Sequence, residues 1–299
     1  MDFKRLFHAR RTVCCLLALC FVLLASCTPP PPDTPELSVD PGASYPMTVT
    51  FLNIGKADCF LIESPSGCVL IDTGTNKDGN DIVALLNAKG IEKIDYLFIT
   101  HFDKDHVGGA DRILHAIPVG IIYEPDYESD SKQTAQYRAA VGPDTEIVKL
   151  SENLTFTFDG IKYAVDVANG TFVDGENQDN VDNNMSLVVH AFCGSVSVLF
   201  TGDAEKDRLY EMLYEGFQPC TLLKVPHHGM AEKYLRQFCD RVHPQYAVIT
   251  SSDKDPEDNA VVQDLSGMGI EVFLTRKGRI VFTTDGSAAS ITQEAGMKP

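Results

Sequence analysis

The sequence predicts an α/β fold in which two β-sheets lie sandwiched between helices. Short apolar runs separated by turn residues open the folded part, the pattern of antiparallel strands. Strand-like and helix-like segments then alternate through both halves of the chain, which places helices on the outer faces of the sheets. Three strand-like runs end abruptly in His or Asp: residues 96–100 before His101, 195–200 ahead of Asp203, and 222–225 ahead of His227. Strand ends carrying such groups line one edge of a sheet, a usual place for a site in this class.

Taken in order, residues 47–54, 59–63 and 68–71 read as short strands joined by a Gly/Lys/Asp turn and by Ser64-Pro65-Ser66-Gly67. Asp72-Thr73-Gly74-Thr75 closes the third, and 81–89 reads as an amphipathic helix stopped by Gly90. After the strand 96–100 a helix is expected near 109–116, then a strand at 119–123 and a helix at 131–141. Residues 154–158 and 161–165 form a hairpin about Asp159-Gly160. The polar stretch 171–184 reads as a loop. Residues 186–192 and 195–200 pair around Cys193-Gly194, and a helix follows at 204–214. A strand at 222–225, a helix, a strand at 246–250, a second helix and strands at 271–275 and 279–284 complete the pattern.

At 299 residues and 44% hydrophobic content, the chain can bury a substantial core. Residues 1–26 read as an export signal: Lys4, Arg5, Arg10 and Arg11 precede an apolar stretch at 13–24. That stretch falls short of the ~18–20 residues a spanning helix needs. It ends in Leu24-Ala25-Ser26-Cys27, which resembles a bacterial lipobox with Cys27 as the lipid attachment site. The expected location is therefore outside the cytoplasm, anchored by that lipid to the cell membrane. Residues 27–46, with Pro29 to Pro32 and Pro35, form an extended tether, and 47–299 the folded domain. No second run long enough to span a bilayer follows, which argues against a channel.

The formal charge is −17, and loss of a signal carrying +3 leaves −20. Such a surface gives little help to nonspecific nucleic-acid binding, which depends on Lys and Arg at phosphates. Cys59, Cys68, Cys193, Cys220 and Cys239 remain in the folded part without a CxxC pair, so neither a zinc ribbon nor a thioredoxin-like motif is indicated. Cys59, Cys193 and Cys220 read as small buried apolar residues. His115, His190 and His243 read as ordinary histidines, and Tyr123 and Tyr127 as packing residues.

The densest chemistry is His101-Phe102-Asp103-Lys104-Asp105-His106-Val107-Gly108-Gly109. Clustered charges in a partly buried spot are costly unless a cation holds them together. The spacing supports two metal sites, His101 with Asp103 for one and Asp105 with His106 for the other. Asp203 is the natural bridging carboxylate, although its position also suits a helix N-cap. One residue of the 227–228 doublet completes the second site: His228 is the candidate ligand and His227 the candidate catalytic residue. Asp105 is the candidate for orienting the attacking water and acting as base. Lys224 either reaches a substrate anion or extends to solvent. Asn184 and Ser186 contact the site or only shape their loop.

These residues resemble the metallo-β-lactamase superfamily, in particular the hydrolase domain of ComEC/Rec2-type DNA-uptake proteins. The resemblance rests on 52–58, Ile71-Asp72-Thr73-Gly74, 100–109, Asn183-Asn184-Met185-Ser186-Leu187, Phe200-Thr201-Gly202-Asp203-Ala204-Glu205 and Leu223-Lys224-Val225-Pro226-His227-His228-Gly229. It implies a four-layer αββα sandwich with one or two divalent ions, Zn²⁺ first and Mn²⁺ as the harder alternative. It also implies metal roles for His101, Asp103, Asp105, His106, Asp203 and a His of the doublet, with Asp72 supporting a ligand imidazole. Asp103 stands where most of the superfamily has a second His, and 183–186 offers Asn and Ser where another His is usual. Both changes put oxygen in place of nitrogen and favour a harder ion. Asn53 and Lys56-Ala57 also depart from the usual Asp and Gln-Gly. The function so implied is hydrolysis of a phosphodiester, nucleic acid or a small phosphoester, through a metal-activated hydroxide. The other class of reading is a surface binding module with a degenerate metal site. No protein partner is indicated.

Overall fold

Alternation along the strands dictates where each face goes. In β2 (Phe60–Glu63), Phe60 and Ile62 point into one apolar cluster while Leu61 joins another on the opposite face. The same two-sided burial recurs in β3 (Cys68–Ile71) and β4 (Ile94–Phe98), so this sheet is covered on both sides. The computed structural model describes residues 46–169 and 178–296. The expected export signal, Cys27 and nearly all of the expected tether lie outside them.

Two sheets result. The first runs β15-β14-β1-β2-β3-β4-β5-β6 and adds β1 (Met47–Phe51), β5 (Val119–Pro125), β6 (Glu146–Leu150), β14 (Gly278–Thr284) and β15 (Ala289–Ala295) to the strands above. It is antiparallel up to β3 and parallel from β3 to β6. The second runs β13-β12-β11-β10-β9-β8-β7. Its strands are β7 (Leu154–Phe158), β8 (Ile161–Asp166), β9 (Val188–Cys193), β10 (Val196–Phe200), β11 (Leu222–Lys224), β12 (Tyr246–Ile249) and β13 (Glu271–Leu274). β10 to β13 run parallel.

Three apolar clusters define the layers. One fills the space between the sheets, where Phe51 and Phe60 of the first pack on Phe200 of the second at 5.9 and 5.3 Å between ring centres. The next lies under α1 (Gly79–Ala88), α2 (Ala110–Ala116) and α3 (Lys132–Ala140). The last lies under α5 (Lys206–Glu215), α6 (Leu235–Val242) and α7 (Asn259–Gly267). Helix, sheet, sheet, helix is the expected αββα sandwich. All five cysteines of the domain are buried, and burial pushes the Cys239 thiol up to about 12.

Three elements differ from expectation. Residues 178–184 of the stretch read as a loop form α4 (Gln178–Asn184). Its many Asn and Asp residues disfavour helix locally, but Asn184 earns its place through a tertiary bond described below. β6 and β15 are absent from the sequence reading. Both lie at sheet edges with few fully buried residues, so the apolar alternation that marks a strand is weak there.

Candidate metal centre

Strand ends from both sheets meet at one edge. Asp72 follows β3, His101 follows β4, Asp203 follows β10, the His227-His228 doublet follows β11, and Thr250 follows β12. Parallel pairing of β3 with β4, and of β10 with β11 and β12, makes these C-terminal ends open the same way within each sheet. Gly202, at φ 51°, permits the last turn: a Cβ there would meet the Ser186 side chain at 2.8 Å.

Three imidazoles converge here with one nitrogen engaged and the other bare. His106 Nδ1 is 2.8 Å from Asp72 Oδ2. His228 Nδ1 is 2.8 Å from Thr250 Oγ1, which in turn donates to Asp58 Oδ1 at 2.7 Å. His101 Nδ1 is 3.1 Å from Thr100 Oγ1, and that hydroxyl donates to Asp72 Oδ2 at 2.7 Å. Each of these acceptors takes the proton of Nδ1, so Nε2 is the nitrogen turned towards the carboxylates. The Nε2 atoms of His101, His106 and His228 are buried, with no hydrogen-bond partner among the described residues.

Carboxylates surround those nitrogens. Asp203 Oδ2 lies 3.3 Å from His106 Nε2 and 3.1 Å from His228 Nε2, and Asp105 Oδ2 lies 3.5 Å from the latter. His101, His106 and Asp203 offer ligand atoms within 4.8 Å of one another, as do Asp105, His106 and His228. Bare imidazole nitrogens beside carboxylates are the donor set of a divalent transition ion, so the residues present fit one.

Burial sets the electrostatics. It pushes the His101 ring well below the usual histidine range, helped by neighbouring His106. Burial also opposes charge on His106 and His228, but Asp203 with Asp72 for the first, and Asp203 with Asp58 for the second, outweigh it. Asp203 is itself held well below the carboxylate range against burial, by His228, His106 and Lys224. Asp105 is likewise held low against burial, by His228 and His106. Burial pushes Asp103 the other way, up to about 6.

The structure corrects several roles. Lys224 reaches neither solvent nor a substrate: it is fully buried, paired with Asp58 and 3.2 Å from Asp203 Oδ1. Its Nζ also donates to the Gly202 carbonyl at 2.8 Å, so it neutralises carboxylates from behind the centre. Asp103 stays at the margin, its side chain 40% exposed and its Oδ2 3.9 Å from His101 Nε2. Asn184 Oδ1 accepts the Arg208 N–H at 2.9 Å and caps the first turn of α5. That bond helps to hold α4; α5 begins at Lys206 with Glu205 in the N-cap position, so Asp203 is not its cap. Ser186 Oγ accepts the Asp203 N–H at 3.1 Å. His227 turns towards Glu232 and Glu205 instead of into the centre.

Asp58 and Thr250 escaped the sequence reading. Asp58 lies within the 52–58 motif as a carboxylate in a Gly/Lys turn, a faint signal. Thr250 carries none, since a Thr ending an apolar strand is unremarkable until the fold puts it under His228. The doublet itself is strained, with His227 at φ 46° and His228 at φ 53°. Non-glycine residues rarely adopt that region and cluster at functional sites when they do.

Residues 52–249 match the metallo-β-lactamase superfamily, and the chain belongs to that superfamily. Within that superfamily the domain is similar to curated competence and recombination proteins. It is 28% identical over 243 residues to ComE operon protein 3 of Bacillus subtilis, covering 72% of this chain and 30% of that protein. It is 27% identical over 237 residues to competence protein ComA of Neisseria gonorrhoeae, covering 76% and 30%. The chain thus spans under a third of the length of these curated relatives. The metallo-β-lactamase fold protein YhfI of Bacillus subtilis superposes with a TM-score of 0.58 at 14% identity, over 80% of this chain and all of that one, which shows the shared fold.

Proposed function

We propose that the protein is an exported, lipid-anchored, metal-dependent hydrolase that cleaves a phosphodiester. One observation carries the reading: three buried, unengaged Nε2 atoms converge on the carboxylates of Asp105 and Asp203. A divalent ion bound there lowers the pKa of a coordinated water towards about 7 and neutralises charge on a phosphoryl oxygen. His101, His106, Asp203, Asp105 and His228 would hold it. Asp105, with its side chain 21% exposed, is the ligand nearest solvent and orients the attacking water. Asp72 and Thr250 keep His106 and His228 in the tautomer that presents Nε2. Lys224 prevents the buried Asp58 and Asp203 from repelling each other.

The carboxylates of Asp105 and Asp203 among three imidazoles make a mixed donor set that admits Mn²⁺ beside Zn²⁺. The lack of an imidazole at 103 and 183–186 supports phosphorus over a lactam carbonyl. Relatives named for competence support nucleic acid as the phosphodiester, whereas the charge of −17 supports a small ester. The lipobox-like Leu24-Ala25-Ser26-Cys27 and the proline tether support attachment to the outer side of the cell membrane.

The test is hydrolysis of bis-p-nitrophenyl phosphate by the wild type and Asp105→Ala with Zn²⁺, Mn²⁺ or Mg²⁺. Wild-type turnover that falls by about 100-fold or more in the variant is expected. A wild type inert with all three ions sinks the proposal and leaves the binding module, the reading that the marginal Asp103 favours. Single-stranded DNA cleaved at low salt, with steep loss as salt rises, assigns nucleic acid as the ester.

A further inference from the structure

One hydroxyl beside the centre accepts a hydrogen bond and keeps its own proton to give. Tyr127 follows β5, and the parallel pairing of β5 with β4 brings its C-terminal end to the edge where His101 stands. The half-buried Tyr127 ring packs on Phe102 at 4.9 Å between ring centres, and its Oη accepts the Phe102 N–H at 3.0 Å. Among the described residues that is the one hydrogen bond the phenol makes. A phenol can donate as well as accept, so the Tyr127 O–H has no acceptor within the described protein. Burial, then the negative charge of Asp182 and Asp103, pushes this hydroxyl above the usual phenol range and keeps it in the neutral, donating form.

The order of groups along the centre gives this donor a partner. His101 shares a ligand set with His106 and Asp203, whereas Asp105 shares one with His106 and His228. The ring centres of His101 and His106 are 4.0 Å apart, and those of His106 and His228 are 5.5 Å apart. Asp105 thus stands at the His228 end, and Tyr127, bonded to the residue after His101, stands at the other. Displacement at phosphorus places the entering and leaving oxygens roughly in line, on opposite faces of the phosphoryl group. With the attacking water on Asp105, the leaving oxygen falls at the His101 end. A donor fixed there stabilises the negative charge that builds on that oxygen.

We propose that Tyr127 contacts the substrate and donates a hydrogen bond to the leaving oxygen of a phosphodiester, with the Phe102 N–H holding the phenol in place. The proposal rests on the hydrolytic reading above and adds to it the side on which the departing alcohol lies. The water oxygen bonds to phosphorus and gives its proton to solvent by way of Asp105. The bond from phosphorus to the leaving oxygen breaks with its electron pair, and that oxygen takes a proton from solvent. The phenol keeps its own.

The experiment compares wild type with Tyr127→Phe on methyl p-nitrophenyl phosphate and methyl phenyl phosphate, with Zn²⁺, Mn²⁺ or Mg²⁺ saturating. Phenolate is the poorer leaving group and needs more help as it departs. The expected loss in kcat is about 10-fold on the nitrophenyl ester and about 100-fold or more on the phenyl ester. Competition with a chelator should give the variant wild-type metal affinity, because the hydroxyl bonds no ligand side chain. Tyr127→Met serves as a second variant should the first misfold, with circular dichroism as the check. Equal losses on both esters, or none, overturn the proposal. A fall in metal affinity of about 10-fold or more also overturns it, since the hydroxyl then acts only by holding the chain between His101 and Asp103. A wild type inert on both esters sinks the hydrolytic reading itself, so the two failures are told apart.

Discussion

Asp72 accepts the Nδ1 proton of His106 at 2.8 Å, and this bond decides which nitrogen of the ring faces Asp203. Asp72 sits at φ 57°, a left-handed conformation that Asp and Asn tolerate better than other side chains. Its second oxygen accepts the Thr100 N–H at 2.8 Å, so the carboxylate also pins the chain that leads into His101.

Asp72→Asn keeps the backbone conformation and removes the negative charge behind His106. Metal affinity should fall by about 10–100-fold, the usual effect of losing such a partner. Titration with a competing chelator measures it. Unchanged affinity would mean that Asp72 only shapes the loop.

Lys224→Met should destabilise the domain more than a surface change would. It leaves the enclosed Asp58 and Asp203 carboxylates without their cation, at a cost of about 3–5 kcal/mol in metal-free buffer. Saturating Zn²⁺ or Mn²⁺ should recover part of that loss, since an ion bound to Asp203 replaces the missing charge. Thermal denaturation with and without metal tests both statements.

Gly108→Ala should loosen the ligand loop. A Cβ at this position would meet the Lys104 carbonyl oxygen at 2.2 Å and the Asn76 nitrogen at 2.7 Å, and both are backbone atoms that cannot step aside. A stability loss of about 1–3 kcal/mol is expected, with weaker metal binding. Chemical denaturation and metal titration read the two effects.

His190 predicts an acid-sensitive stability unrelated to the centre. Burial lowers this ring to about 4 from the usual 6.5, and it bonds Ser197 Oγ at 3.0 Å. The unfolded chain therefore binds a proton that the folded one refuses. Stability is unaffected above about pH 6.5, falls as pH drops from 6.5 towards 4, and stops falling from this source below that. The full loss is about 3 kcal/mol for a difference of roughly 2.5 pK units. Denaturation of wild type and His190→Gln across that window should show a shallower slope in the variant. Equal slopes would refute it.

Much of the fold was legible because local patterns and global packing agree. Phe60, Leu61 and Ile62 alternate between two apolar clusters, and Asp159-Gly160 turns the hairpin where a turn was expected. α4 was illegible for the opposite reason. Its residues disfavour helix, and it is supported by bonds to residues far along the chain, from Asn184 to Arg208 and from Asn183 to Glu205. β6 and β15 lie at edges where one strand face meets solvent and the apolar signal fades.

The sequence by itself determined which residues carry the chemistry: the His and Asp burst at 101–106, Asp203 after its Thr-Gly, and the doublet at 227–228. Residue type and spacing encode these, because a ligand must be an imidazole or a carboxylate wherever the chain folds. Only the tertiary structure decided direction. It turned His228 inwards and His227 outwards, buried Lys224 behind the carboxylates, left Asp103 at the rim and brought in Asp58 and Thr250. Those outcomes depend on backbone angles and on contacts between strand ends far apart in the chain, and neither is written in the spacing of neighbouring residues.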